Sequence, residues 1–254
     1  MTKSYAVMGR DVRQSLSPKI HQWFAEQTGC TLNYIALSVH ESDFELYVLD
    51  FFKNGGHGLN ITQPYKLRAY AMHDWASTRC HDAQAANTLW WANGKLCADN
   101  TDGIGLISDL ARYCDISSQH ILILGSGGAG QGVFSALAGI NPQSITIANR
   151  TAKIISNNIQ VITYAELQEH YTLVLNATSA NIPAQPSIFP GRIFQQNPIC
   201  YDLNYQSPAQ FVALAQQMGC MAVNGLGMLI EQAAESFYLW HGVRPQTQDL
   251  HLIL

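Results

Sequence analysis

Ile121-Leu-Ile-Leu-Gly-Ser-Gly-Gly-Ala-Gly130, followed by Ile145-Thr-Ile-Ala-Asn-Arg-Thr151, decides the fold. The apolar run Ile121 to Leu124 has the length and composition of a buried parallel strand. Gly125-x-Gly127-x-x-Gly130 then supplies the tight turn, close backbone approach and helix packing that a pyrophosphate requires. A helix is expected from about Gly128 through Val133 to Leu137, its free N–H groups and dipole favouring the phosphates' negative charge. Where an NAD-binding protein carries Asp or Glu for the ribose 2′-hydroxyl, about 20 residues further on, this chain ends its second strand in Asn149-Arg150-Thr151. A carboxylate there would repel a 2′-phosphate, whereas a guanidinium binds it through two charge-assisted hydrogen bonds. The expected cofactor is therefore NADP(H). The plainer alternative makes Arg150 an ordinary solvated arginine.

Further strands are expected at 160–162, 173–176, 199–203 and 222–223, which completes a doubly wound α/β half. One interval does not fit that pattern. About eight residues separate Thr151 from Gln160, fewer than the dozen a full parallel crossover needs, so the helix there is very short or absent. Upstream, strands are expected at 5–8, 33–39 and 58–62. Helices are expected from Ser17-Pro18, with Ser17 as cap and Pro18 at the first helical position, at 42–52, and from Pro64 through Met72. Thr88–Trp91 and Lys95–Ala98 flank Asn93-Gly94 as a hairpin. A helix over 102–113 leads into the dinucleotide half, and a C-terminal helix over 228–240 follows the break Asn224-Gly-Leu-Gly227. The expected fold is α/β with two domains. A βαβ-rich substrate domain takes 1–101 plus 225–254, with the C-terminal helix returning to it, and a Rossmann-type NADP domain takes 102–224.

Composition bounds the partners. The 254 residues are 47% hydrophobic and 13% charged, with a net charge of −4, which supports a sizeable core and argues against a general nucleic-acid surface. No apolar stretch reaches membrane-spanning length, and Tyr5 to Met8 is too short for the core of a signal peptide, so a cytoplasmic location is expected. The cysteines at 30, 80, 97, 114, 200 and 220 lack zinc-type spacing and read as reduced thiols; no metal is expected. Small molecules are the expected partners, for a monomer or homodimer.

Several polar groups fall at the ends of expected strands in the first half, where open α/β sheets hold ligands. Ser15 and Ser17 place two hydroxyls at a helix start, suited to a carboxylate or to simple capping. Asn60, Thr62 and Lys66 share one strand-to-helix passage, and a lysine there opposes the helix dipole, which hints at a reason other than helix formation. Asn87 precedes the hairpin; Thr101 and Asp102 follow it at the seam between the halves, where Asp102 also suits an N-cap. Lysine and aspartate near a nicotinamide suit carbonyl/alcohol redox chemistry, with lysine exchanging the alcohol proton and the carboxylate orienting it. No Gly-x-Ser-x-Gly elbow supports a hydrolase, and His21 and His241 read as packing residues.

Taken in order, Ser15-x-Ser17-Pro18, Asn60-Ile-Thr62-x-Pro64-x-Lys66, Ala86-Asn87-Thr88, Asp99-Asn-Thr101-Asp102-Gly103, Gly125-x-Gly-Gly-Ala129, Asn149-Arg150-Thr151, Asn176-Ala-Thr178, Tyr201-Asp202 with Tyr205, and Asn224-Gly225-Leu-Gly227-Met228 with Gln232 resemble shikimate dehydrogenase. The match runs from about Tyr5 to Gly242. The resemblance implies NADPH-linked reduction of 3-dehydroshikimate to shikimate, on the route to aromatic amino acids. It implies that Ser15 and Ser17 with Tyr205 hold the substrate carboxylate, that Thr62, Asn87, Thr101, Asp102 and Gln232 serve the ring hydroxyls, and that Asn60 belongs to the substrate-binding set. Lys66 is the implied acid/base group, paired with Asp102. Gly125, Ser126, Gly127, Gly128 and Ala129 are the implied pyrophosphate loop, and Asn149, Arg150, Thr151 and Lys153 the 2′-phosphate site. Thr178, Leu203, Gly225 and Met228 complete the implied cofactor set, Leu203 and Gly225 at the nicotinamide.

Three departures stand out. A second arginine common soon after Asn-Arg-Thr in NADP-preferring members is Ile154 here, beside Lys153; the segment after it is curtailed; and Leu203 replaces a common methionine. They leave open a quinate/shikimate dehydrogenase using NAD as well as NADP. A non-catalytic nucleotide-binding regulator would be expected to lose Lys66 or Asp102, and both are present.

Overall fold

The computed structural model describes residues 2–155, 159–168, 170–178, 189–205, 210–248 and 250. The chain divides into two compact units, Met1–Gly105 with Leu229–Leu254, and Leu106–Met228.

The first unit contains β1 (Lys3–Gly9), α1 (Ser17–Thr28), β2 (Leu32–Ser38), α2 (Phe44–Lys53), β3 (Gly56–Ile61), α3 (Lys66–Ala71), β4 (Trp75–Ala76), α4 (Thr78–Ala83), β5 (Thr88–Ala92) and β6 (Lys95–Asp99). Its sheet has the order β2-β1-β3-β5-β6-β4. β1 is parallel to β2 and β3, β5 is antiparallel to both β3 and β6, and β4 is parallel to β6. The β5–β6 hairpin turns at Asn93 (φ 53°) and Gly94 (φ 72°), the left-handed pair of a type I′ turn. Met8, Leu59, Ile61 and Leu89 pack with Phe44, Val48 and Tyr65 from the helices and their flanks. A second layer is aromatic: His21 lies nearly parallel to Tyr34 at 4.2 Å and 9°, beside Phe24, Phe237 and Trp240.

Three local expectations are corrected. Leu16, not Ser17, occupies the N-cap of α1, and Pro18 is its second residue; the Ser17 N–H donates to Ser15 Oγ at 3.2 Å, so Ser15 does the capping. The helix expected from Pro64 begins at Lys66, because the chain first turns through Tyr65 N–H to Thr62 O. The helix expected to reach Tyr113 is α5 (Asp102–Leu110), after which backbone bonds tighten to i−3 contacts such as Tyr113 N–H to Leu110 O.

The second unit contains β7 (His120–Leu124), α6 (Gly128–Ala138), β8 (Ser144–Asn149), β9 (Lys153–Ile155), β10 (Ile159–Thr163), β11 (Leu173–Asn176), β12 (Ile199–Asp202), α7 (Gln210–Gln217) and β13 (Ala222–Asn224). Gly225 joins β13 directly to α8 (Leu226–His241), most of which belongs to the first unit. The sheet order is β13-β12-β11-β7-β8-β10-β9. Apart from β9, all neighbours are parallel and the order is that of a Rossmann sheet. β7 and β11 form its centre, their inward residues fully buried among Leu137, Ile147 and Tyr201 on one face and Phe194, Cys200 and Phe211 on the other.

β9 explains the short interval after Thr151. Instead of a crossover helix, Lys153–Ile155 forms an edge strand antiparallel to β10, and β10 returns parallel to β8. Residues 156–158 of that interval lie outside the described residues. No helix among the described residues is long and apolar enough to cross a membrane.

Candidate active site

Lys66 opens α3 and Asp102 opens α5, and Lys66 Nζ donates to Asp102 Oδ2 at 2.5 Å. The two side chains are 27% and 28% exposed, shielded enough to strengthen their attraction yet open to a ligand. The pair is framed by Asn87, which is buried. Asn87 Nδ2 approaches Asp102 Oδ1 at 2.8 Å, Thr101 Oγ1 at 2.9 Å and Gln232 Oε1 at 3.2 Å. Its Oδ1 accepts the Thr101 backbone N–H at 2.8 Å. A backbone N–H can only donate, so this bond fixes which way the amide faces and makes Asn87 a donor to Asp102. Both Asp102 oxygens therefore accept, one from lysine and one from asparagine, which is the hydrogen bonding of an ionised carboxylate.

The backbone holds these parts together. Ala86 N–H donates to Lys66 O and Asn87 N–H to Asp99 O, tying the start of α3 and the end of β6 to one short segment. Asn100 Oδ1 accepts the Asp102 N–H at 3.1 Å and so caps the helix from two residues upstream. Gln232, on α8, has its orientation set by Nε2 donating to Leu229 O at 2.8 Å, which leaves Oε1 toward Asn87. Gly105 permits that approach, since a Cβ there would lie 2.7 Å from the Gln232 backbone nitrogen.

Asn60 is buried one layer below. Its Oδ1 accepts from the Tyr34 hydroxyl at 2.7 Å, and its Nδ2 faces Asn87 O, Thr88 Oγ1 and Ser236 Oγ at 3.0–3.2 Å. Burial pushes the Tyr34 phenol well above its usual range, so it stays a donor. Ser236 in turn donates to Gln232 O at 3.0 Å. Sequence reasoning missed Tyr34 and Ser236 and gave Thr88, quoted in a motif, no role; only their place in the fold brings them to Asn60. Ser15 and Ser17 sit at the start of α1, Ser17 buried and Ser15 partly so. Thr62 follows β3, its N–H held by Met8 O.

In the second unit the glycine loop lies between β7 and α6, at the point where the strand order reverses beside β11. Gly125 has φ 103°, and a Cβ on it would lie 3.0 Å from the Ala177 backbone; a Cβ on Gly130 would lie 2.1 Å from Gly125 O. α6 starts after Gly127, a cap with no side chain, and neither Gly127 nor Gly128 has an atom within 4 Å of where a Cβ would stand. That bare helix N-terminus fits a pyrophosphate. Asn149 Nδ2 donates to Ser126 Oγ at 2.8 Å while its Oδ1 accepts the Arg150 N–H, so the end of β8 is tied to the loop. Lys153, carried on β9, places Nζ 3.4 Å from Ser126 O, whereas Ile154 is 72% exposed. Arg150 and Thr151 are exposed beside this loop.

The ends of β11, β12 and β13 form a further polar cluster. Asn176 Oδ1 accepts from Thr178 N–H and Oγ1, and Asn176 Nδ2 donates to Asp202 Oδ1, which also accepts from Asn204. Burial raises the Asp202 pKa above its ordinary value, opposed by the donors from Asn204 and Asn176. Leu203 N–H is held by Asn176 O, Gly225 N–H by Asn204 O, and Met228 N–H by the Tyr201 hydroxyl. Tyr205 follows the same strand end, partly buried. The structure thus gathers Lys66, Asn87, Thr101, Asp102 and Gln232 into one hydrogen-bonded group, and Ser126, Asn149 and Lys153 into another.

The first unit's residues 7–89 match the family model of the shikimate dehydrogenase substrate binding domain, and residues 225–250 match that of the shikimate 5′-dehydrogenase C-terminal domain. A protein of Legionella pneumophila (strain Lens) named shikimate dehydrogenase (NADP(+)) is 44% identical over 98% of this chain and 97% of its own. The chain belongs to the shikimate dehydrogenase family. Its members are oxidoreductases acting on a CH–OH group. Among solved structures, an Ael1 enzyme from Pseudomonas putida is 34% identical, with a TM-score of 0.88 over 98% of this chain and 97% of that one. The shikimate 5-dehydrogenase of Thermus thermophilus, solved in complex with NADP(H) and shikimate, is 27% identical, with a TM-score of 0.84 over 99% and 98%.

Proposed function

We propose that this chain catalyses the reversible NADPH-linked reduction of 3-dehydroshikimate to shikimate. The observation that carries the reading is the Lys66–Asp102 pair, held by an Asn87 amide that has only one orientation available to it. An ammonium has three N–H donors, so Lys66 can hold Asp102 with one and address a substrate oxygen with another. When bound, NADPH supplies the hydride to the carbonyl carbon. Lys66 delivers a proton to the carbonyl oxygen as it becomes a hydroxyl, and takes it back in the oxidative direction. Asp102 stabilises the ammonium and orients the same hydroxyl. We assign Ser15, Ser17 and Tyr205 to the substrate carboxylate, and Thr62, Asn87, Thr101 and Gln232 to the other ring hydroxyls. The Asn60 amide already engages Tyr34, Thr88, Ser236 and the Asn87 carbonyl, so we assign it to holding Asn87 in place beneath the substrate.

The bare start of α6 suits the cofactor pyrophosphate, and Arg150 the 2′-phosphate. Lys153 supplies a second cation next to the loop, from a strand rather than a helix, in a chain whose Ile154 lacks the family's usual arginine charge. Thr178, Leu203, Gly225 and Met228 are assigned to the nicotinamide end. The domain of 1–101 with 225–254 then carries most of the substrate set, with Asp102 and Tyr205 added from outside it, and the domain of 102–224 most of the cofactor set, with Gly225 and Met228 added. Six free thiols fit a reducing compartment, and we place the protein in the cytoplasm.

The exposed Ile154 favours one variant of this reading, in which NAD or quinate is also used. Steady-state oxidation with each pairing of shikimate or quinate with NADP or NAD separates the two. Turnover restricted to shikimate with NADP supports the biosynthetic reaction. Comparable turnover with NAD or quinate supports the broader enzyme, and no turnover with any pair defeats both.

A further inference from the structure

Asp99 ends β6 three residues before Asp102, and the family motif that contains it leaves it without a role in the chemistry above. Its carboxylate is 4% exposed and fully engaged. Arg79 grips it with two bonds, Nε to Oδ1 and Nη2 to Oδ2, both 2.7 Å; Ser77 Oγ and the Asn100 N–H also donate to Oδ1, at 2.6 Å each. The same Arg79 Nη2 donates to Glu235 Oε1 at 2.9 Å. Glu235 is 8% exposed, lies three residues after Gln232 and next to Ser236 on α8, and is held on its other oxygen by Arg244.

We propose that Arg79 is a positioning residue for the Lys66–Asp102 pair, clamping the strand end that carries Thr101 and Asp102 to the helix that carries Gln232 and Ser236. The need for such a clamp follows from Asn87. Its single Nδ2 serves Thr101 and Asp102 from the loop after β6 and Gln232 from α8. Hydrogen bonds at 2.8–3.2 Å weaken steeply when either side shifts or turns, so the two elements must keep a fixed spacing for Asp102 to stay on Asn87 and Lys66. Arg79 bonds directly to a carboxylate on each element. A planar guanidinium meets Asp99 with a two-bond fork and still reaches Glu235, whereas the compact ammonium of lysine cannot reproduce that fork. One arginine bridging two carboxylates this buried is not what packing alone requires, because apolar residues of similar volume often serve a core as well. What they provide here is direction.

This inference rests on the reaction proposed above, and the experiment separates the two. Arg79→Lys and Arg79→Gln are made in the full chain, with Arg244→Gln as the control that leaves Asp99 gripped. For each variant, kcat and KM are measured for shikimate and for NADP, kcat is followed across pH, and folding is checked by circular dichroism. Arg79→Lys should lower kcat/KM for shikimate about 10- to 100-fold, the scale of a small misplacement of reacting groups. Its KM for NADP should stay within about twofold, Arg244→Gln should stay near wild type, and the limbs of the pH profile should shift as Asp102 loosens from Lys66. Lysine should recover part of what glutamine loses. If Arg79→Gln does not fold, Arg79→Lys carries the test, since it keeps the charge and loses the fork. Unchanged kcat/KM for shikimate in a folded variant would overturn the proposal, as would parallel losses for shikimate and NADP, which mean general damage. An inactive wild-type protein would defeat the reaction and the inference together; an active one with indifferent variants would defeat the inference alone.

Discussion

Replacing His21 with phenylalanine should make the first unit less sensitive to acid. His21 is completely buried and stacked on Tyr34 at 4.2 Å. Burial, reinforced by the nearby His241, pulls its pKa from 6.5 down to about 3. Above pH 6.5 neither the folded nor the unfolded imidazole holds the extra proton, and the residue leaves stability independent of pH. Between 6.5 and about 3 the unfolded chain binds a proton that the native site refuses, so stability falls as pH falls. At about pH 5 the difference is about 1.5 pH units, or about 2 kcal/mol, a large part of the stability of an ordinary domain. His241, pulled to about 4 by burial and by Lys3 and His57, acts in the same direction but is partly exposed and screened, so its share is smaller. The assay is urea unfolding followed by tryptophan fluorescence at about pH 7.5 and about pH 5. Trp23, Trp75, Trp90, Trp91 and Trp240 all belong to the first unit, so the signal reports that unit. Phenylalanine keeps the stacking and removes the titration; its different fit shifts stability by a pH-independent amount that cancels between the two conditions. Wild type should lose about 2 kcal/mol more than His21→Phe on acidification. Equal losses would show that the buried imidazole is not what makes the unit acid-labile.

Three further outcomes are expected. Lys66→Ala should lower kcat by about 10²- to 10⁴-fold with a smaller change in KM for shikimate, and a normal kcat would remove Lys66 from its acid/base role. Arg150→Ala should weaken NADPH more than NADH by about 1.5–3 kcal/mol in titrations of each, the scale of a hydrogen bond to a charged group; equal weakening would place the 2′-phosphate elsewhere. Gly130→Ala puts a methyl 2.1 Å from where Gly125 O now sits, so the loop must move and NADPH affinity should drop about 10-fold or more, whereas unchanged affinity would mean the loop is not the pyrophosphate site.

Much of this molecule is legible in its residues because the informative features are local. Gly125-x-Gly127-x-x-Gly130 between an apolar run and a helix announces a parallel strand and its phosphate turn, and both lie where the spacing puts them. Asn93-Gly94 marks the hairpin for the same reason: a left-handed pair needs those residues. The shortness of the interval after Thr151 signals that a helix is lacking there, yet not that an edge strand takes its place, because three residues of β9 carry no periodicity to read. β4 and α4 escape notice on the same ground. The Ser17 cap fails because Ser17 already lies inside the helix, with its own N–H taken by Ser15 Oγ, a choice that backbone torsion decides and composition does not.

The substrate-side residues are legible as a set of motifs, whereas their connections are not. Nothing in the spacing of Tyr34, Asn60 and Ser236 suggests that one amide joins them, nor that Arg79 meets Asp99 and Glu235, since those partners come from β2, β3, α4, β6 and α8 and meet only through the fold. Amide orientation is likewise invisible until the Thr101 N–H is placed against Asn87 Oδ1, and the chemistry assigned to Asp102 depends on it.

The most direct test of the central claim is a crystal structure of the wild-type protein with NADPH and shikimate together, a pairing of two reduced partners that cannot react. Lys66 Nζ and Asp102 are predicted to meet at the one ring hydroxyl that lies next to the nicotinamide C4, with Asn87 still donating to Asp102. That hydroxyl held by other side chains, with Lys66 and Asp102 turned away from it, would contradict the account.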